Sequence, residues 1–164
     1  MGKLATACVL ALAWAGGVGI SATAQGQSQA DLRKPFVGTW RLVSITGGTG
    51  NSLLTRGKPT GLIIYDAHGH MAAQIQPDRQ RPTYTGTPTA EQLAERARGY
   101  TAYFGTYTID DKAGIVTHHR QGQLDSGAVD FVRKFEFTDG GNRIVLTPVG
   151  GTTAPIQLTW ERVR

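Results

Sequence analysis

Residues 99–136 read GYTAYFGTYTIDDKAGIVTHHRQGQLDSGAVDFVRKFE, and this stretch decides the fold. Tyr100 to Ile109 holds no proline and is rich in β-branched and aromatic residues, which suit a pleated, half-buried surface. Asp110-Asp111-Lys112-Ala113-Gly114 supplies the turn chemistry that ends this strand. Ile115 to Gln121 returns as a second strand, residues 122–127 form a loop, and Ala128 to Thr138 reads as a third strand. In that third strand Phe131, Arg133, Phe135 and Phe137 recur at every second position. Side chains two apart on a strand share a face, so this stripe marks the covered side of an antiparallel meander. The same stretch holds the adjacent pair His118 and His119, and a basic residue inside an aromatic stripe. The walls of any pocket are expected here.

The pattern continues on both sides. Downstream, Asp139-Gly140-Gly141-Asn142 is a strong hairpin turn, followed by strands at Arg143 to Pro148 and Ile156 to Val163. Ile144 and Leu146 share one face, as do Ile156, Leu158 and Trp160. Upstream, Thr89 reads as an N-cap with Gln92 as its capping-box partner, so Ala90 to Arg98 is one short helix that Gly99 ends. Residues 77–88 form a proline- and arginine-rich loop. Before it lie strands at Gly61 to Tyr65 and His70 to Gln76, joined by the turn Asp66-Ala67-His68-Gly69. Phe36 to Ile45 is the first strand, Ala30 to Lys34 a polar lead-in, and residues 53–60 are ambiguous because Pro59 argues against a central strand. The total is about eight antiparallel strands with one short helix between the third and fourth. This predicts an all-β sandwich or barrel, and closure has the advantage of removing exposed strand edges.

The first residues carry a different message. Met1 to Lys3 is positive, Leu4 to Ile20 is almost wholly apolar, and Ala22-Thr23-Ala24 precedes the polar Gln25-Gly26-Gln27. That is the layout of a secretory signal peptide, residues 1–24, with cleavage expected after Ala24. The rival reading is a retained anchor, but the apolar run is at the short limit for a span. Residues 25–164 then form one domain, long enough for its own core. The chain's one cysteine, Cys8, falls in the leader, so the mature domain is expected to hold no disulfide. Periplasmic location or secretion follows as the expectation.

The full chain carries 17 Lys and Arg against 12 Asp and Glu, a formal charge of +5, and loss of Lys3 removes one positive charge. The basic residues are scattered, with neither a basic run nor a stacking array, so no nucleic-acid footprint is read. No membrane span is expected in the mature domain. No H-E-x-x-H motif or carboxylate cluster accompanies the histidines, so neither a metal site nor a cofactor is expected.

Several segments together resemble the bacterial lipocalin-like domain family, relatives of the lipocalin and calycin barrels. They are Phe36 to Ser44, Gly61 to Asp66, Gly69 to Met71, Gly99 to Tyr107, Gly114 to His119 and Leu158 to Val163. Gly38-Thr39-Trp40 is similar to the G-x-W signature that opens lipocalin barrels. The resemblance implies that Trp40 closes one barrel end beneath a basic residue of the last strand, Arg162 or Arg164. It also implies a ligand-binding barrel without fixing a reaction. One departure is the loop Gly122 to Gly127, where family members usually carry proline and tryptophan.

An eight-stranded barrel holds either packed side chains or one small ligand. The candidate lining is Tyr103, Tyr107, His119, Phe131, Arg133 and Phe135, with Gly105 leaving space between the tyrosines. Arg133 interrupts the phenylalanine stripe. It would bind a ligand carboxylate, form an internal ion pair or reach the solvated mouth. Three functions remain open. The first is binding of a small, mostly hydrophobic or amphipathic molecule, which an anionic group would suit. The second is acid–base catalysis of isomerase or cyclase type, with His119, Tyr103 and Tyr107 as candidates. The third is a structural protein with a filled barrel.

Overall fold

The computed structural model of the chain describes residues 27–48, 53–125, 127–150 and 155–164. The expected leader, residues 1–24, lies outside the described residues. Eight strands form a closed antiparallel barrel in sequence order: β1 (Gly38–Gly47), β2 (Thr60–Tyr65), β3 (His70–Gln76), β4 (Thr101–Asp110), β5 (Ile115–Gln123), β6 (Asp130–Thr138), β7 (Arg143–Pro148) and β8 (Ile156–Arg162). Pairing of β8 with β1, with Trp160 opposite Leu42, closes the sheet and leaves no free edge. The short helix sits between β3 and β4, as expected. It spans Ala90–Ala97, and its capping box is complete: Thr89 Oγ1 accepts from Gln92 N–H, and Gln92 Oε1 accepts from Thr89 N–H.

The polar lead-in is not a simple extension. Gln29–Arg33 forms a short helix, α1 (the helix before β4 being α2), capped by Ser28. Gln29 locks α1 to the barrel. Its Nε2 donates to the Ile109 carbonyl at 2.7 Å, and its Oε1 accepts from Ile109 N–H at 3.1 Å. Leu32 packs on the core. The helix forms because Leu32 finds this surface, a tertiary effect that so short a polar segment does not reveal.

The two barrel ends differ. The tight turns after β2, β4 and β6 lie at the end that α1 covers, whereas the longer connections after β1, β3, β5 and β7 lie at the other. The α1 end is filled. Phe36, Trp40, Tyr65 and Tyr107 are each at most 1% exposed, and the ring of Phe36 contacts Tyr65, Phe135 and Phe137 edge-on at 5.0–5.6 Å between centroids. Edge-to-face aromatic pairs add about 0.5–1.5 kcal/mol each beyond their buried area. This plug anchors the fold and confines any cavity to the opposite half.

Candidate functional site

Toward the open end the side chains stop short of filling the barrel. A cavity of about 220 Å³ remains there. Its apolar wall includes Ile45, Ile63, Ile75, Leu146, Leu158 and Trp160, with Leu54, Phe131, Pro148 and Ile156 adding to it. Thr101, Tyr103, Asp125 and Arg133 supply the polar lining. Drug-sized sites usually measure about 300–1,000 Å³, so this one suits a compact molecule. A hollow of about 330 Å³ also lies around Arg41, Thr60, Leu62, Gln74 and Tyr100, but it lacks this apolar enclosure.

Arg133 extends from β6 and is only 8% exposed. Its guanidinium carbon lies 4.6 Å from the centroid of the Phe131 ring, and its Nη1 lies 3.2 Å from His118 Nδ1. A guanidinium only donates, so Nδ1 accepts, and the network assigns the imidazole proton to Nε2. Nε2 then donates to the Tyr65 hydroxyl oxygen at 2.7 Å. The Tyr103 hydroxyl is 3.0 Å from Nδ1 and shares that face of the ring. Burial, reinforced by the charges of Arg133 and His119, holds the His118 pKa well below the usual histidine range. His118 is therefore a neutral acceptor that fixes Arg133. Burial also raises the Tyr65 and Tyr103 pKa values, so both phenols stay protonated.

A second buried arginine stands beside the first. Arg120 on β5 has a fully buried side chain and pairs with Asp125 at 2.8 Å. It stacks 3.6 Å over the Phe131 centroid and also donates to the Ala128 carbonyl. These contacts tie the loop after β5 to the cavity wall. Sequence reading missed both Arg120 and His118. The signal was available in the alternation of β5, where Val116, His118 and Arg120 share a face, but nothing in β5 alone says which face is inner.

The structure brings together Tyr103, Phe131 and Arg133 at the cavity. The other expected lining residues lie elsewhere. Tyr107 and Phe135 point inward but fill the aromatic plug. Tyr107 packs 4.8 Å from Tyr65, and its hydroxyl donates to the Asp66 carbonyl at 2.8 Å. Burial pushes its pKa up to about 12. His119 is a correction, because it lies on the outer face, 2.9 Å from Asp130 and 2.9 Å from Thr108. The register explains this: Tyr107 pairs with His118, which aligns the inner face of β4 with the opposite histidine. The candidate trio His119, Tyr103 and Tyr107 is thus split among three environments. Gly105 is a second correction. A Cβ there would lie 2.0 Å from the His119 carbonyl oxygen, so the missing side chain admits the β5 backbone rather than ligand space.

At the plugged end, Trp40 is fully buried, and its Nε1 donates to the Phe36 carbonyl at 2.7 Å. Arg162 of the last strand lies over its ring. Gly38 has φ +134°, a backbone conformation that favours glycine, and a Cβ there would stand 2.8 Å from Arg162 Nη1 and displace that guanidinium. This is the arrangement expected of a G-x-W opening, with Arg162 rather than Arg164 as the covering residue. The lipocalin-like domain model matches residues 37–163. The chain belongs to the lipocalin-like domain family.

Solved structures similar to this lipocalin-like chain include three named barrels. The REP1-NXSQ fatty acid transporter is 13% identical, with a TM-score of 0.39 over 79% of this chain and 96% of that one. Fatty-acid-binding protein 1 of Echinococcus granulosus is 17% identical, with a TM-score of 0.39 over 79% and 98%-complete coverage of that chain. The fluorescent protein UnaG is 15% identical, with a TM-score of 0.39 over 80% and 99%. A comparison with curated proteins finds no match. Among the described residues, no helix is long and apolar enough to cross a membrane, and no group of three or more metal-ligating side chains occurs.

Proposed function

We propose that this lipocalin-like protein binds a small, mostly hydrophobic molecule inside its barrel, and that it does so after export, in the periplasm or outside the cell. The observation that carries the binding reading is the half-filled interior: an aromatic plug at one end and an apolar cavity of about 220 Å³ at the other. A purely structural barrel has no use for unfilled core, because voids weaken packing. Acid–base catalysis is less well supported. Both nitrogens of His118 are engaged by Tyr65, Tyr103 and Arg133, while His119 faces outward. Export is supported by the leader-like residues 1–24.

Native mass spectrometry of protein purified without detergent tests the binding reading. The expected spectrum contains an added mass that denaturation releases. Bare protein that also takes up no apolar probe would overturn the reading.

A further inference from the structure

We infer that the ligand is a compact apolar carboxylate whose anion pairs with Arg133. This inference rests on the proposed binding role and adds the chemical class of the ligand. Its basis is a buried cation without a counter-ion. Arg133 is 8% exposed and lines the cavity. Its described contacts are with neutral groups: His118 Nδ1 at 3.2 Å, the Phe131 carbonyl at 3.5 Å, the Tyr103 hydroxyl and the Phe131 ring. None of the ion pairs among the described residues includes it. The residues outside the described set contain no Asp or Glu, so they hold no carboxylate for it either.

The carboxylate nearest in kind, Asp125 on the same cavity wall, is already paired with Arg120. Two guanidiniums therefore stand against one phenyl ring, Phe131, and the one carboxylate on this wall belongs to Arg120. The imbalance is a single positive charge. A buried ion is tolerated when it is paired, and breaking or omitting the pair is heavily unfavourable. A monoanion restores neutrality, whereas a dianionic phosphate would replace one imbalance with the opposite one. A guanidinium also presents a planar fork that matches the two oxygens of a carboxylate. His118 takes only one donor of that fork and, being an acceptor, directs the guanidinium without cancelling its charge. The remaining wall is apolar, so the body attached to the carboxylate should be apolar, and the cavity volume keeps it short.

Calorimetric titration with octanoate and with 1-octanol separates this inference from the reading beneath it. Octanol is the more hydrophobic of the two, so burial alone favours it. Wild-type protein is expected to bind octanoate at least tenfold more tightly. Arg133→Met keeps much of the apolar stem and should weaken octanoate about 10- to 100-fold, the scale of a hydrogen bond to a charged group, while octanol changes little. Octanol binding as tightly as octanoate to the wild type overturns the carboxylate inference and leaves the binding role standing. Failure of both probes overturns both. Undiminished octanoate binding by a folded Arg133→Met protein removes Arg133 as the anchor. The wild-type comparison decides the ligand class even if that variant does not fold.

Discussion

The guanidinium carbon of Arg162 lies 4.1 Å from the ring centroid of Trp40, and its two terminal nitrogens donate to the carbonyls of Val37 at 2.6 Å and Pro35 at 2.7 Å. One residue near the end of the chain therefore fixes the entry to the first strand and covers the aromatic plug. Neither tryptophan burial nor barrel closure is local: the two residues meet because β1 and β8 pair.

Trp40→Ala should destabilise the fold by about 3–5 kcal/mol, the usual range for deleting a core aromatic. Arg162→Ala removes a cation–π contact and should cost about 0.5–2 kcal/mol through that contact alone. Urea denaturation checks both, and a Trp40→Ala midpoint equal to the wild type would show that the plug does not anchor the barrel.

Gly105→Ala should be disproportionately harmful for so small a change. The added methyl would strike the His119 carbonyl oxygen at 2.0 Å, where β4 and β5 shift register between Phe104 and Gly105. Overpacking of this kind costs about 1–3 kcal/mol. Equal melting curves for the variant and the wild type would mean that the bulge relaxes freely.

His118 gives the stability a pH dependence with a definite sign. Its folded pKa is depressed well below the unfolded value of 6.5, chiefly by burial. Below about pH 6.5 the unfolded chain binds a proton that the native imidazole refuses, so stability is fully present above that pH and falls as the solution is acidified. The slope for one such proton approaches about 1.4 kcal/mol per pH unit. His118→Gln can still accept from Arg133, and it should remove this component. Wild-type and variant stabilities that run parallel between pH 7 and pH 5 would contradict the assignment of a neutral buried histidine.

Much of the fold was legible because its determinants are local. Period-two alternation in β6, the Asp139–Asn142 turn and the capping box at Thr89 each announce themselves within a few residues. The cavity was less legible because facing depends on pairing. The alternation of β5 separates His118 from His119 but does not choose between them, and the Tyr107–His118 register makes that choice. Likewise, Phe131 and Phe135 share a stripe, yet only Phe131 reaches the cavity, because Phe36 enters from before β1 and occupies the other end. Arg133 was identifiable as a misplaced charge, whereas its lack of an ion-pair partner needed three dimensions.

Export predicts a defined mature terminus. Protein recovered from the periplasm or medium should begin at Gln25, since Ala22-Thr23-Ala24 follows the apolar run. Intact-mass measurement checks this, and exported protein that retains Met1 would contradict cleavage.

Binding inside the barrel is tested by titrating an apolar fluorescent probe into wild-type protein and into Leu158→Trp. Leu158 lines the cavity and is 9% exposed, so the larger ring should occupy the ligand space while the plug and strand pairing are left in place. Saturable binding of one probe per wild-type molecule is expected, with loss of that binding in a variant whose melting curve shows it folded. Probe binding by the folded variant with wild-type affinity would place the site outside the barrel.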